Sequence, residues 1–355
     1  MKNRRWHCID GMYAMGTILV ILGHSHSSDW TSFYRTPLER MLLFIYMFHM
    51  PLFFCIAGFL FGNSDALDRK GYGNWLYRKA LRLLTPYTVL TLMAVIPKYY
   101  ADHHGLEDLT LQYILKGFLV PRANVWGHFW FLPVLLELYA LFGWICTRTS
   151  AALEQSMWRI LLLAAVILYF CPVSAAWLGI GDLCRAAVYF AVGGAVNSRI
   201  RHKGELRYIN RGRFLQIAGG TAAALIPAAV YILAPEEMSR DGFFFKLLAL
   251  VTALLMIWVC AGTGQLIGTR PWAVWISRHA LSLYIFAWPF QYPLMLLCGR
   301  LQFGWLLTSI LMFAAGLTLP VLFILLYDRA RVLHHPFIDL MMGVRPAVQV
   351  DRDGQ

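Results

Sequence analysis

FGWLLTSILMFAAGLTLPVLFILLY, the stretch from Phe303 to Tyr327, runs for 25 residues without Asp, Glu, Lys, Arg or His. At 1.5 Å per helical residue it reaches about 37 Å, more than the roughly 30 Å hydrocarbon core of a bilayer. Working outward from this run, comparable apolar segments recur at 9–27, 41–62, 80–97, 127–146, 157–176, 180–198, 213–234, 244–264 and 277–298. The pattern predicts an all-α fold, a polytopic transmembrane helix bundle of about ten spans. Composition agrees. Hydrophobic residues are 59% of the 355, charged residues only 14%, and mean hydropathy is +0.56. A soluble domain carries about 25% charged residues, so water is the wrong solvent for this surface. The same numbers exclude a disordered chain, a coiled coil and a small disulfide-stapled module. The seven cysteines form no CxxC pair, so neither a zinc site nor a disulfide framework is indicated.

The net charge of +12 does not point to nucleic acid, because the basic residues sit in short segments between the apolar runs. Such clustering is how a membrane protein fixes its topology. With the N-terminus in the cytoplasm, 22 of the 31 Lys and Arg residues fall on the cytoplasmic side. They include Lys2, Arg4, Arg5, Arg69, Lys70, Arg78, Lys79 and Arg82, and six more in 199–213. The expectation is therefore an even number of spans, both termini cytoplasmic, in a cell (inner or plasma) membrane. The first run, with its basic start, imitates a signal peptide. No small-residue cleavage site follows Met12–Leu22, and it is read as a span. Residues 1–333 read as one transmembrane domain and 334–355 as a cytoplasmic tail, expected to be partly disordered. The longest exterior loop, 98–126, contains Leu111-Gln112-Tyr113-Ile114-Leu115, which reads as an interfacial helix resting on the membrane.

Ionisable side chains inside spans are costly, and each is a functional candidate by default. Tyr13 and His24 are eleven residues apart, so on a helix they share a face about 16 Å apart, with Asp10 near it. His24 then lies toward the exterior end. It and His26 read either as a hydrated helix end or, for His24, as a general base toward a hydroxyl. His49 and Glu137 stand mid-span beside Pro51 and Pro133. They read either as hydrogen-bonded struts, paired with each other or with freed backbone, or as substrate contacts. Asp182 and Arg185 are spaced to pair along one helix. Lys79 and Arg82, also three residues apart, stand at a cytoplasmic mouth, where they serve topology or clamp phosphates.

Four segments resemble the bacterial acyltransferase-3 family of multi-pass membrane O-acyltransferases. Ile9-Asp10-Gly11 through Gly23-His24 is similar to that family's opening helix, which ends in its essential histidine. Phe48-His49-Met50-Pro51-Leu52-Phe53-Phe54-Cys55-Ile56-Ala57-Gly58-Phe59 resembles its FHMPLFFxxSGF stretch, and Arg78 through Tyr87 its basic RxxRLxxPY signature. Weaker echoes are His128-Phe129-Trp130-Phe131-Leu132 and Ser282 through Gln291. Two positions depart from the pattern. Tyr13 stands where the family has a cation, and Ala57 where it has a serine.

The resemblance implies a membrane O-acyltransferase, acetyl in the first instance, acting on a hydroxyl of a cell-surface polysaccharide or lipid-linked glycan. Acetyl-CoA (or another acyl-CoA) enters as donor substrate, with no bound cofactor and no metal. It assigns His24 as catalytic base and Lys79, Arg82 and Arg78 to donor binding; His49, Gln291 and His128 lie in segments that match its pattern without an assigned role, and Tyr13 and Glu137 are supporting candidates from their places in the spans. Gln291 or Tyr13 would donate a hydrogen bond to the tetrahedral oxyanion. Transfer from a cytosolic donor to His24 near the opposite face needs a passage through the bundle. The expected partners are acyl-CoA, the glycan acceptor and the bilayer, without nucleic acid. Two other classes remain open on sequence: a transporter or flippase of a glycan precursor using His49, Glu137, Asp182 and Arg185, and a catalytically inactive acyltransferase-like scaffold.

Overall fold

The structure is a computed structural model and describes residues 6–26, 37–62, 71–203, 213–234, 241–330 and 334–344. Lys2, Arg4, Arg5, Arg69 and Lys70 lie outside the described residues, as does much of the 199–213 basic segment. Every regular element described is helical: α1 (His7–Gly23), α2 (Pro37–Phe61), α3 (Tyr72–His103), α4 (Leu111–Leu119), α5 (Phe131–Cys146), α6 (Glu154–Phe170), α7 (Ile180–Lys203), α8 (Arg213–Leu233), α9 (Phe243–Ile267), α10 (Pro271–Arg278), α11 (Ala280–Arg300), α12 (Trp305–Arg329) and α13 (Pro336–Met341). Short 3-10 turns lead into α5, α6 and α7. Among the described residues, eight helices are long and apolar enough to cross a membrane by length and composition. α1 and α6, at 17 residues each, occupy the other two predicted spans and reach about 26 Å.

The chain divides into two compact units, Met1–Ile56 with Glu205–Leu333, and Ala57–Gly204 with His334–Gln355. In the first, α1 is central and packs on α9, α10, α11 and α12. It approaches α9 closely because both carry glycine at the crossing. A Cβ on Gly11 would collide with the Gly264 backbone, and one on Gly264 would stand 2.5 Å from the Cys8 carbonyl oxygen. Without a hydrophobic drive between helices in lipid, small residues that let backbones touch are what hold such pairs. Ala14, Ala273, Ile276, Leu283 and Ile324 make the apolar centre where α1, α10, α11 and α12 meet. α8 pairs with α9, and α11 with α12.

In the second unit, α6 packs on α7 and α5 on both α3 and α7. Its core is aromatic. Phe61, Trp75, Tyr139, Trp158 and Phe190 form a chain of edge and tilted ring contacts with centroids 5.2–6.3 Å apart. α4 forms where an interfacial helix is expected, capped by the Thr110 hydroxyl accepting from Tyr113 N at 3.2 Å. Leu111, Leu115 and Leu119, four residues apart, are exposed along one side of it. Its other side is tied down by Asn124, whose Nδ2 donates to Thr91 Oγ1 (3.0 Å) and to the Gly117 carbonyl (3.3 Å). Asn124 Oδ1 accepts from Trp126 N at 2.9 Å. Part of the predicted tail is structured: α13 packs on α3, burying Asp339, which pairs with His334 at 3.1 Å.

Candidate active site

α1 ends at His24, whose backbone (φ −88°, ψ 5°) leaves the helix while its N–H still reaches the Val20 carbonyl at 3.1 Å. The exit from the helix exposes carbonyls that must find donors. Ser25 Oγ donates to Ile21 O at 2.7 Å, and the Tyr46 hydroxyl of α2 donates to Gly23 O at 2.7 Å. The turn is thus pinned from two sides. His24 itself is 8% exposed, and Ser25 and His26 are buried beside it. The expectation that these histidines form a hydrated helix end is not what this unit displays, for they are enclosed by protein.

The ring of His24 meets Trp288 of α11 at 5.5 Å and the edge of Tyr46 at 6.0 Å. Tyr46 in turn contacts His49 at 5.0 Å. His49 Nδ1 lies 2.9 Å from the Ile45 carbonyl, which can only accept, so Nδ1 carries a hydrogen. His49 therefore bonds to the backbone one turn back along α2, not to a carbonyl freed by Pro51. Gln291 sits one turn beyond Trp288, between Pro289 and Pro293, and is completely buried. Its Nε2 stands 2.9 Å from Ser25 Oγ, 3.1 Å from Ile21 O and 3.2 Å from Met312 O of α12. Sequence order brought His24, His49 and Gln291 forward as candidates, and the first unit gathers all three. Tyr46, Trp288 and Ser25 were not read as candidates, because a Tyr, Trp or Ser in an apolar run looks like any other.

Farther down α1, Tyr13 packs on Phe53 at 5.9 Å. Asp10 accepts from Ser277 Oγ at 2.8 Å and lies 4.0 Å from His7 Nδ1. The other candidates belong to the second unit. Lys79 and Arg82 lie half-buried on α3, whereas Arg78 is exposed. The Lys79 ammonium stands over both Trp75 (5.3 Å) and Tyr139 (5.4 Å), a cation held by ring faces. His128 is packed against Phe129 at 4.6 Å. Glu137 is half-buried, and its Oε2 has no hydrogen-bond partner among the described residues. Asp182 pairs with Arg185 at 3.0 Å as the spacing predicts, and also with Arg122, which binds both its oxygens at 2.7 and 2.8 Å. Arg122, 60 residues earlier, carried no sequence cue. Among the described residues, no three His, Cys, Asp or Glu side chains cluster as metal ligands.

A buried imidazole at a helix end, walled by aromatic rings inside a bundle of membrane-length helices, defines a membrane protein with a basic group held in its interior. The model of the acyltransferase-3 family, described as an acyltransferase domain, matches residues 6–327, and the chain belongs to that family. It is similar to the nodulation protein NolL of Sinorhizobium fredii (strain NBRC 101917 / NGR234), 26% identical over 219 residues, 58% of this chain and 55% of that protein. The chain thus aligns with about half the length of that curated relative. No solved structure matches it.

Proposed function

We propose that the protein is a membrane O-acyltransferase that moves an acetyl group from acetyl-CoA to a hydroxyl of a cell-surface polysaccharide or lipid-linked glycan. The observation that carries this reading is the enclosed His24, fixed at the end of α1 between Tyr46 and Trp288. His24 accepts the proton of the acceptor hydroxyl as its oxygen attacks the thioester carbonyl. The new C–O bond forms, the C–S bond breaks, and the proton passes to the departing CoA thiolate, which leaves the imidazole neutral again. Lys79 and Arg82 hold the anionic phosphates of CoA, Arg as a fork and Lys as a point charge. Family membership and the half-buried placement of this pair support that role. Tyr13, packed on Phe53, brings no cation to this end of the chemistry. Gln291 contributes to the site through α1, since its amide hydrogens face Ser25, Ile21 and Met312.

The test is His24→Ala. Purified protein in detergent is supplied with acetyl-CoA and free CoA is measured chromatographically, while O-acetyl content is followed on surface glycans of the parent cells. The expected result is a loss of about 100-fold or more, the scale of a missing general base, at unchanged protein level in the membrane. Retained acetylation overturns the reading.

A further inference from the structure

Gln291 is wholly buried in α11, the helix whose Trp288 packs on the His24 ring. Its amide has two hydrogens, and three oxygens lie within reach: Ser25 Oγ, Ile21 O and Met312 O. Two of those are backbone carbonyls, which only accept. A flipped amide would set its own oxygen against both, so the orientation with Nε2 toward them is the one that stands. Ser25 passes its own hydrogen to Ile21 O. The result is a closed set of bonds in which one side chain of α11 ties the last turn of α1, at Ile21 and Ser25 on either side of Gly23-His24, to the backbone of α12. Oε1 makes no hydrogen bond among the described residues, so among them the side-chain bonds of Gln291 all serve this tie.

We propose that Gln291 is a positioning residue, setting the place of the His24 imidazole by fixing the turn that carries it. The inference rests on the role given to His24 above. A consequence follows on a different helix. Gly316 of α12 leaves room for this amide: a Cβ there would lie 2.5 Å from Gln291 Nε2 and 2.6 Å from its Cδ. Gly316→Ala therefore displaces the amide with both Gln291 and His24 left in the sequence. A displacement of about 1 Å in a catalytic group costs on the order of 100-fold.

Three variants of the full chain, Gln291→Ala, Gly316→Ala and Gly299→Ala, are purified in detergent and CoA release from acetyl-CoA is measured. Gly299 is the control, since a Cβ there meets nothing within 4 Å. The expected result is a fall of about 10- to 100-fold in kcat for the first two, KM for acetyl-CoA within about twofold of the parent, and a parental Gly299→Ala. Parental kcat in Gln291→Ala, or a loss there that Gly316→Ala does not reproduce, overturns the proposal. So does failure of both proteins to accumulate in the membrane, which would make the tie a matter of folding alone. His24→Ala run alongside separates the two readings. If it retains activity the base assignment itself falls; if it is dead while Gln291→Ala is normal, only the positioning role falls.

Discussion

Tyr46 touches the imidazoles of His24 and His49 and also donates its hydroxyl to Gly23 O, the carbonyl directly before His24. A buried carbonyl that loses its donor costs roughly 1–3 kcal/mol, and a typical hydrogen bond contributes about 1. Tyr46→Phe keeps the ring walls and removes only that bond. The expected outcome is a drop in turnover of about fivefold, equivalent to about 1 kcal/mol, with little change in KM for acetyl-CoA, read by CoA release. In the second unit the buried Asp182 serves two half-exposed arginines. Exposed pairs of this kind contribute little singly, so Arg185→Ala should shift the melting temperature in detergent hardly at all. Asp182→Ala leaves Arg122 and Arg185 facing each other without their anion and should lower it clearly. Equal melting curves for the two variants would contradict this account.

At the scale of elements, α1 depends on glycine for its seat. Gly11 and Gly264 face each other where the two backbones touch, and a Cβ on Gly264 would stand 2.5 Å from Cys8 O and 3.0 Å from Met12 Cγ. Overpacking of this kind costs about 1–3 kcal/mol, and here backbone must move. Gly264→Ala should therefore reduce thermal stability in detergent. Gly219→Ala on α8, where a Cβ meets nothing, should be neutral or mildly stabilising through helix propensity. Paired melting curves check the contrast. α3 and α4 depend instead on a polar knot. Asn124 bonds with Thr91, Gly117 O and Trp126 N, and Tyr87 Oη also donates to Gly117 O at 3.1 Å. Each of these groups is buried, so Asn124→Ala takes a partner from Thr91, Gly117 O and Trp126 N at once, with Tyr87 still donating to Gly117 O.

At the scale of the molecule, the distribution of Lys and Arg sets orientation. A reporter fused after Gln355 should register on the cytoplasmic side, and one inserted at Gly105, an open turn where a side chain meets nothing, on the opposite side. The reverse result would reject the assigned topology. Much of this architecture was readable along the chain. Apolar runs such as 303–327 became helices because lipid offers the backbone no partners, and only a helix satisfies its own hydrogen bonds. The run Leu111–Leu115 announced α4, and Asp182–Arg185 announced itself by spacing. His24 and His49 stood out because ionisable groups are rare in such runs, and Gln291 because its segment resembles the family pattern. What linear order could not contain was proximity between distant residues. Gln291 reaches Ser25 across 266 positions and Ile21 across 270, Arg122 reaches Asp182 across 60, and Gly316 makes room for an amide 25 residues earlier. The sequence by itself determined which segments are helical and which residues are too polar for their surroundings, because those are local consequences of solvent and backbone. Which of those polar residues share a site, and which carbonyl each one satisfies, was decided only by tertiary packing, where helices far apart in order close around the same turn.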